Sequence, residues 1–377
     1  MTFRFVHTAD WQIGKPFRNF PSDLAGELAA ARFASIAKIA DIARAQGAAH
    51  VLVAGDVFDS ETLPNLTVRK ALERLATEAS ITWLLLPGNH DPARLGGIWD
   101  RIQRLGVPAN VVPLLTPEPY AVSQDAVILP APLTSKNPGS DPTAWMDSCA
   151  TPAGVARIGL AHGSIQGFGS DGESAVLIAR DRAATANLTY LALGDWHGLK
   201  RISDSTWYSG TPEPDRYPGN EPGSVVAVAI DGPRAIHVEP VASAHFRWAK
   251  VDNTLRAFAD LEATCRDLIG SARTPSLLLV RLALSGSLSL AEHGQIEAWR
   301  EALGARLAHL DLDTAALAAR PVSSDLESLG GEGPLVEAAR QLAALAADPA
   351  NADRAAAERA LIRLYGFAAE AAREAAT

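Results

Sequence analysis

Five short motifs in the first two hundred residues place carboxylates, imidazoles and amides where one fold could gather them. HTADWQIG carries Asp10 and Gln12, and LVAGDVFDS carries Asp56 and Asp59. LLLPGNHDP carries Asn89, His90 and Asp91. LAHGS carries His162, and LALGDWHG carries Asp195 and His197. Oxygen and imidazole donors without a thiolate suit borderline-hard divalent ions such as manganese, iron or zinc. A carboxylate such as Asp56 can bridge two ions, and paired ions can clamp a phosphoryl group with an attacking hydroxide in line. One Asp or His after a strand is ordinary, a cap or a satisfied polar group. Five such positions in one segment call for a common cause.

Each motif follows a short apolar run: FRFV, HVLVAG, ITWLLLPG, VARIGLA and LTYLALG. A carboxylate at the end of a buried strand must be solvated, paired or bound to a metal. Helical spacing over residues 24–46, at Leu28, Ile36, Ile39 and Ala43 with Gly47 as a stop, predicts a helix between the first two strands. A second helix is expected at Leu66–Ala79, and further strands at AVILPAP, Thr206–Ser209, Ser224–Ile230 and Ala235–Pro240. Alternating strands and helices imply an α/β layered domain whose ligands gather beyond the carboxyl ends of its strands. Residues 1–242 form this domain in the sequence reading. Residues 243–332, with strands at HFRWAKVD and SLLLVRLALSG and helices at Leu255–Ile269 and Ala291–Ala308, read as a small α+β domain. Residues 333–377 are Ala-rich and helical, with a turn at ADPANAD.

The chain has 377 residues and a net charge of −9, from 34 Lys and Arg against 43 Asp and Glu. That balance argues against an autonomous nucleic-acid grip and asks for a local basic groove, a metal centre or a partner. Two distant cysteines, Cys149 and Cys265, argue for a reducing compartment. No apolar run is long enough to span a membrane, and FRFV at the start lacks the regions of a secretory leader, so a cytoplasmic location is expected.

In this order, D-x-[H/Q], GDxxD, GNHD, a lone His and G-[H/D]-x-H resemble the calcineurin-like metallophosphoesterases. HTADW, LVAGDVFDS, LLLPGNHDP, YLALGDWHG and WYSGTPEPDR further resemble the SbcD-like DNA-repair nucleases, over about residues 1 to 240. The resemblance implies a four-layer sandwich: two mixed β-sheets flanked by helices, then a small α+β capping domain and C-terminal helices. It implies two divalent ions, with manganese favoured by the oxygen-rich shell that Gln12 and Asp195 create and iron, zinc or magnesium as the other candidates. One ion would take Asp10, Gln12, Asp56 and His197, and the other Asp56, Asn89, His162 and Asp195. His90 would face the scissile phosphate, with Asp91 holding its imidazole. Gln12 and Asp195 stand where the family usually has His, which raises the carboxylates in the shell to three and weakens the Gln12 position.

The activity so implied is metal-dependent phosphodiester cleavage at DNA ends, exonucleolytic and also endonucleolytic. An SMC-like coiled-coil ATPase is the implied partner, and a homodimer is a further expectation. A small-molecule phosphodiesterase or phosphatase on the same fold, and a non-catalytic scaffold subunit of such an ATPase complex, remain as alternatives. Lys15, Arg18 and Tyr208 are candidates for substrate contact. His7 reads as a packing histidine, and Trp11 and Trp196 as pocket walls. The cluster Leu361, Ile362, Leu364, Tyr365 and Phe367 suits either a partner groove or packing on its own protein.

Overall fold

The computed structural model describes residues 2–167, 176–217, 219–232, 235–270, 274–319 and 333–374. The chain folds as two compact units, residues 1–247 and 248–377.

Unit 1 is built on two six-stranded mixed sheets. In the first, β1 (Phe3–Thr8), β2 (His50–Val53), β3 (Thr82–Leu85) and β4 (Val111–Pro113) run parallel, and Ser224–Asp231 and Ala235–Ala242 add antiparallel strands beside β1. In the second, Thr206–Tyr208, Tyr190–Gly194, Ala156–His162 and Ala126–Ala131 run parallel between short antiparallel edge strands.

Side chains of a strand point alternately to its two faces, so a strand buried on both sides reads as an unbroken apolar run. Phe5, Leu52 and Leu84 turn toward Ile128, Ile158, Leu160 and Tyr190 of the other sheet and form the middle of the sandwich. Val6, Val51, Val53, Trp83 and Leu85 face the other way, onto α1 (Ser22–Ala45), α2 (Asn65–Thr77) and α3 (Ile98–Leu105), through Ile36, Ile39, Leu72, Leu75, Ile98 and Ile102. The two mixed sheets flanked by helices are as expected, and the outer layer of the second is built of short pieces. Val127, Leu129, Leu191 and Leu193 are covered by Met146 of the 3-10 helix Ala144–Asp147, Ile178 of the short strand Leu177–Ile178, and Ala186 and Leu188 just beyond the helix Arg182–Thr185. The layer is apolar but lacks the length and periodicity of a regular helix.

Unit 2 holds a three-stranded sheet ordered Arg247–Leu255, Leu278–Leu288 and His309–Ala319, with helices Phe258–Gly270 and Ile296–Gly304 packed on it through Leu261, Ile296 and Leu303. The sequence does not announce the strand His309–Ala319, because its second half, TAALAA, has helical composition. Helices Pro334–Ala347 and Arg354–Glu374 follow. Leu361 and Tyr365 are buried with Leu290 and Ala339 inside the unit, whereas Phe367 is exposed. Among the described residues, no helix is long and apolar enough to cross a membrane.

Candidate metal centre

The carboxyl ends of β1, β2, β3, Ala156–His162 and Tyr190–Gly194 deliver the candidate residues. Asp10 lies two residues beyond β1, Asp56 three beyond β2, and Asn89 and His90 follow β3. His162 ends its strand and Asp195 directly follows Gly194. Ligand oxygens of Asp10 and Asp56 and a ring nitrogen of His162 all lie within 4.8 Å of one another, and all three residues are buried.

Backbone hydrogen bonds lock the loops that carry these groups. The amides of Asp10, Gln12 and Ile13 donate to the carbonyls of Gly55, Asp56 and Val57, and the Asp59 amide donates back to Ile13. Among the described residues, six non-glycine residues have positive φ, and four of these are Asp10, Gln12, Asp56 and Asp195. Such backbone costs about 1–3 kcal/mol per residue and persists only where the surroundings impose it. Here the zipped loops and strand ends impose it. The approach is close: a Cβ on Gly194 would sit 1.9 Å from the Ala54 carbonyl oxygen, and one on Gly55 2.2 Å from His162 Nδ1.

His162 Nδ1–H donates to the Ala54 carbonyl at 2.9 Å, which turns Nε2 toward Asp56 Oδ1 at 3.5 Å and Asp195 Oδ1 at 3.8 Å. Nε2 and the side-chain oxygen of Asn89 are buried without a hydrogen-bond partner. Burial opposes charging His162, but Asp56, Asp10 and Asp195 outweigh it and push the imidazole up to about 9. Burial also pushes Asp10 up to about 6, against the pull of His197 and His162. A buried Asp10 this costly to ionise, grouped with Asp56 and Asp195 and with one orphaned ring nitrogen and one orphaned amide oxygen, fits a divalent cation. The donor set is oxygen and imidazole, and a carbonyl fixes the His162 tautomer as metal-ligating histidines require. Asp195 also accepts from Ser164 Oγ at 3.0 Å, and its amide donates to both Asp10 oxygens at 3.2 Å.

Several predicted roles move. Gln12 Oε1 accepts from Lys15 Nζ at 3.0 Å, so the oxygen expected to ligate is already engaged. Lys15, expected on substrate, pairs with Asp215 at 2.6 Å. Asp91 does not hold the His90 ring: its buried carboxylate accepts from the Gly88 and Phe58 amides at 2.7 and 3.0 Å and ties the third loop to the second. The His90 imidazole is oriented by the Asp59 carbonyl, which accepts from Nδ1 at 2.8 Å, and its Nε2 lies 3.9 Å from Asp56 Oδ2. Tyr208 is fully buried, with its hydroxyl donating to Gly163 O and accepting from the Ile165 amide, so it cannot meet substrate. Trp11 is core, stacked edge-on against Trp83 with Nε1 on Thr8. Arg18 is exposed.

Two residues escape a reading of the sequence. Asp215 accepts from His197 Nδ1 at 3.2 Å. Although burial works against it, His197, Arg32 and Lys15 hold its carboxyl well below the usual carboxylate range. Arg32, buried on α1, donates to the carbonyls of Trp11 and Glu213 and so joins the first loop to the 213–215 loop. The two acids in TPEPDR are the available signal; Arg32 leaves none beyond a charge on an apolar helix face.

Residues 3–165 match the model of the calcineurin-like phosphoesterases. A stretch of 105 residues is 32% identical to a protein of Bacillus subtilis (strain 168) described as an uncharacterized metallophosphoesterase, YhaO. The stretch covers 26% of this chain and spans a quarter, 25%, of that relative's length. Among solved structures, the chain is similar to TT1561 of Thermus thermophilus, with a TM-score of 0.40 and 11% identity over 64% of this chain and 100% of that one.

Proposed function

With residues 3–165 a calcineurin-like phosphoesterase region, we propose that the chain is a metal-dependent phosphodiesterase acting on DNA ends, of the SbcD-like kind, working with an SMC-like ATPase. The observation that carries the catalytic part is the buried meeting of Asp10, Asp56 and His162, with the unpartnered His162 Nε2 beside them. Asp10, Asp56, His162 and Asp195 would hold the ion, with Asn89 from the third loop. A divalent ion there supplies Lewis acidity to phosphoryl oxygens and makes water acidic enough to attack.

The chain's own groups do the rest. His90 stands at the mouth with its ring fixed through Nδ1 and 45% of its side chain exposed, so Nε2 can hand a proton to the leaving oxygen. The loops 10–13 and 55–59 hold their carboxylates in place before substrate arrives. Arg216, 62% exposed beside Asp215, and Arg18 offer cations to flanking phosphates. The DNA assignment rests on the SbcD-like motifs and on the second unit that follows the phosphoesterase unit.

The test is cleavage of end-labelled duplex DNA with manganese, beside a small chromogenic phosphodiester. The expectation is duplex cleavage that falls by about 10²–10⁴-fold in His90→Ala while the metal stays bound. Cleavage of the small ester alone would move the substrate away from DNA, and metal binding with no cleavage of either would favour a scaffold subunit.

A further inference from the structure

Four side chains on one flank of the centre close into a ring. Lys15 Nζ donates to Gln12 Oε1 at 3.0 Å and to Asp215 Oδ2 at 2.6 Å. Asp215 Oδ1 faces His197 Nδ1 at 3.2 Å, and Gln12 Nε2 faces His197 Nε2 at 3.3 Å. An ammonium only donates, so the amide oxygen of Gln12 faces it. At His197 Nδ1 the Asp215 carboxylate accepts the ring proton, and Arg216 Nη2, 3.1 Å from the same nitrogen, donates to Asp215 Oδ2. Nε2 of His197 then accepts from the Gln12 amide. The ring is sheltered: side-chain exposure is 1% for Asp215, 10% for His197 and 24% for Lys15. On the opposite flank, His162 Nε2 and Asn89 Oδ1 remain without hydrogen-bond partners.

We propose that this ring closes the ion position on the Gln12–His197 flank, so that the chain holds one ion tightly, on Asp10, Asp56 and His162, while Lys15 holds Gln12 and Asp215 in place. The proposal rests on the metal-centre reading above and departs from the two-ion expectation. An ion on His197 Nε2 would need the lone pair now given to Gln12. Turning the amide to offer Oε1 would strip Lys15 of an acceptor and bring a dication up to a half-buried ammonium. Among the described residues, nothing comparable stands in the way on the His162 flank. Lys15 is thus a positioning residue for the ion count.

The experiment titrates manganese into the full chain, with free ion measured by equilibrium dialysis and spin coupling by electron paramagnetic resonance. Wild type is expected to bind one ion with an uncoupled six-line spectrum and a second at least about tenfold more weakly. Gln12→His combined with Lys15→Met opens the flank and is expected to bind two ions with an exchange-coupled spectrum. Lys15→Gln, which removes the charge and keeps a hydrogen bond, should tighten the second ion by itself. Two ions of equal affinity in wild type would overturn the proposal and leave the phosphoesterase reading standing. So would a variant that keeps the first ion and its melting temperature but gains no second. No bound ion in wild type would overturn the metal-centre reading itself.

Discussion

His162 and His7 are both fully buried imidazoles, and their surroundings send them opposite ways. His162 faces three carboxylates and is pushed up to about 9. His7 sits under Tyr190, with Nδ1 2.9 Å from the phenol oxygen and Nε2 3.1 Å from the Leu193 carbonyl. Burial pushes it down to about 3 from 6.5, with Leu193 pulling slightly the other way. Because the folded value lies below the unfolded one, the unfolded chain takes up the proton first as the pH drops. The contribution of neutral His7 is therefore complete above pH 6.5 and is lost toward pH 3, at about 1.4 kcal/mol per pH unit. Urea unfolding at pH 7 and pH 5 is expected to show a steeper loss for wild type than for His7→Gln. Equal slopes would mean that His7 is solvated or charged in the folded protein.

At the scale of elements, the centre is a meeting of loops that hold one another. The 10–13 and 55–59 loops pair backbone to backbone, and the GNHD loop is joined to them by the Asp91 carboxylate. Asp91→Ala would leave two buried amides unsatisfied, which costs about 1–3 kcal/mol each. The expectation is a stability loss of roughly 2–6 kcal/mol by denaturant, with the His90 ring still on Asp59 and residual activity tracking the folded fraction. An unchanged midpoint with activity abolished would return Asp91 to a direct role on His90.

These connections also mark how far the sequence can be read. The strands and their acidic or imidazole ends are legible, because each run of β-forming residues stops at a side chain that cannot stay in a core alone. Tyr208 and Lys15 are not, since only the folded contacts reveal that one hydroxyl and one ammonium are already spoken for. The pairings of Lys15 and His197 with Asp215 join residues 200 and 18 positions apart, which no local spacing encodes.

At the scale of the whole molecule, the net charge of −9 limits what the chain can hold unaided. With Lys15 committed to Asp215, Arg18 and Arg216 are the exposed cations offered above to a nucleic-acid backbone at the site. Duplex binding by the isolated chain should therefore be weak, with a slope of log K against log salt no steeper than about −2, since each neutralised phosphate contributes roughly −0.9. A filter-binding series from low to moderate salt measures it. A slope near about −6 would place a basic groove elsewhere on this chain and remove the reason for proposing a partner that supplies the grip.

The ring residues His197 and Asp215, and the candidate ligand Asp195, come from beyond the family-matched stretch that ends at residue 165. A ribosome must therefore deliver about thirty residues past that stretch before Asp195 is present and about fifty before Asp215 is. Before the first of these points the nascent chain carries Asp10, Asp56 and His162 without the strand Tyr190–Gly194 that sets His162 beside Asp195. Domains fold as units while synthesis proceeds, so an ion held as proposed would be captured late, and a chain cut short at the end of the matched stretch is expected to bind none.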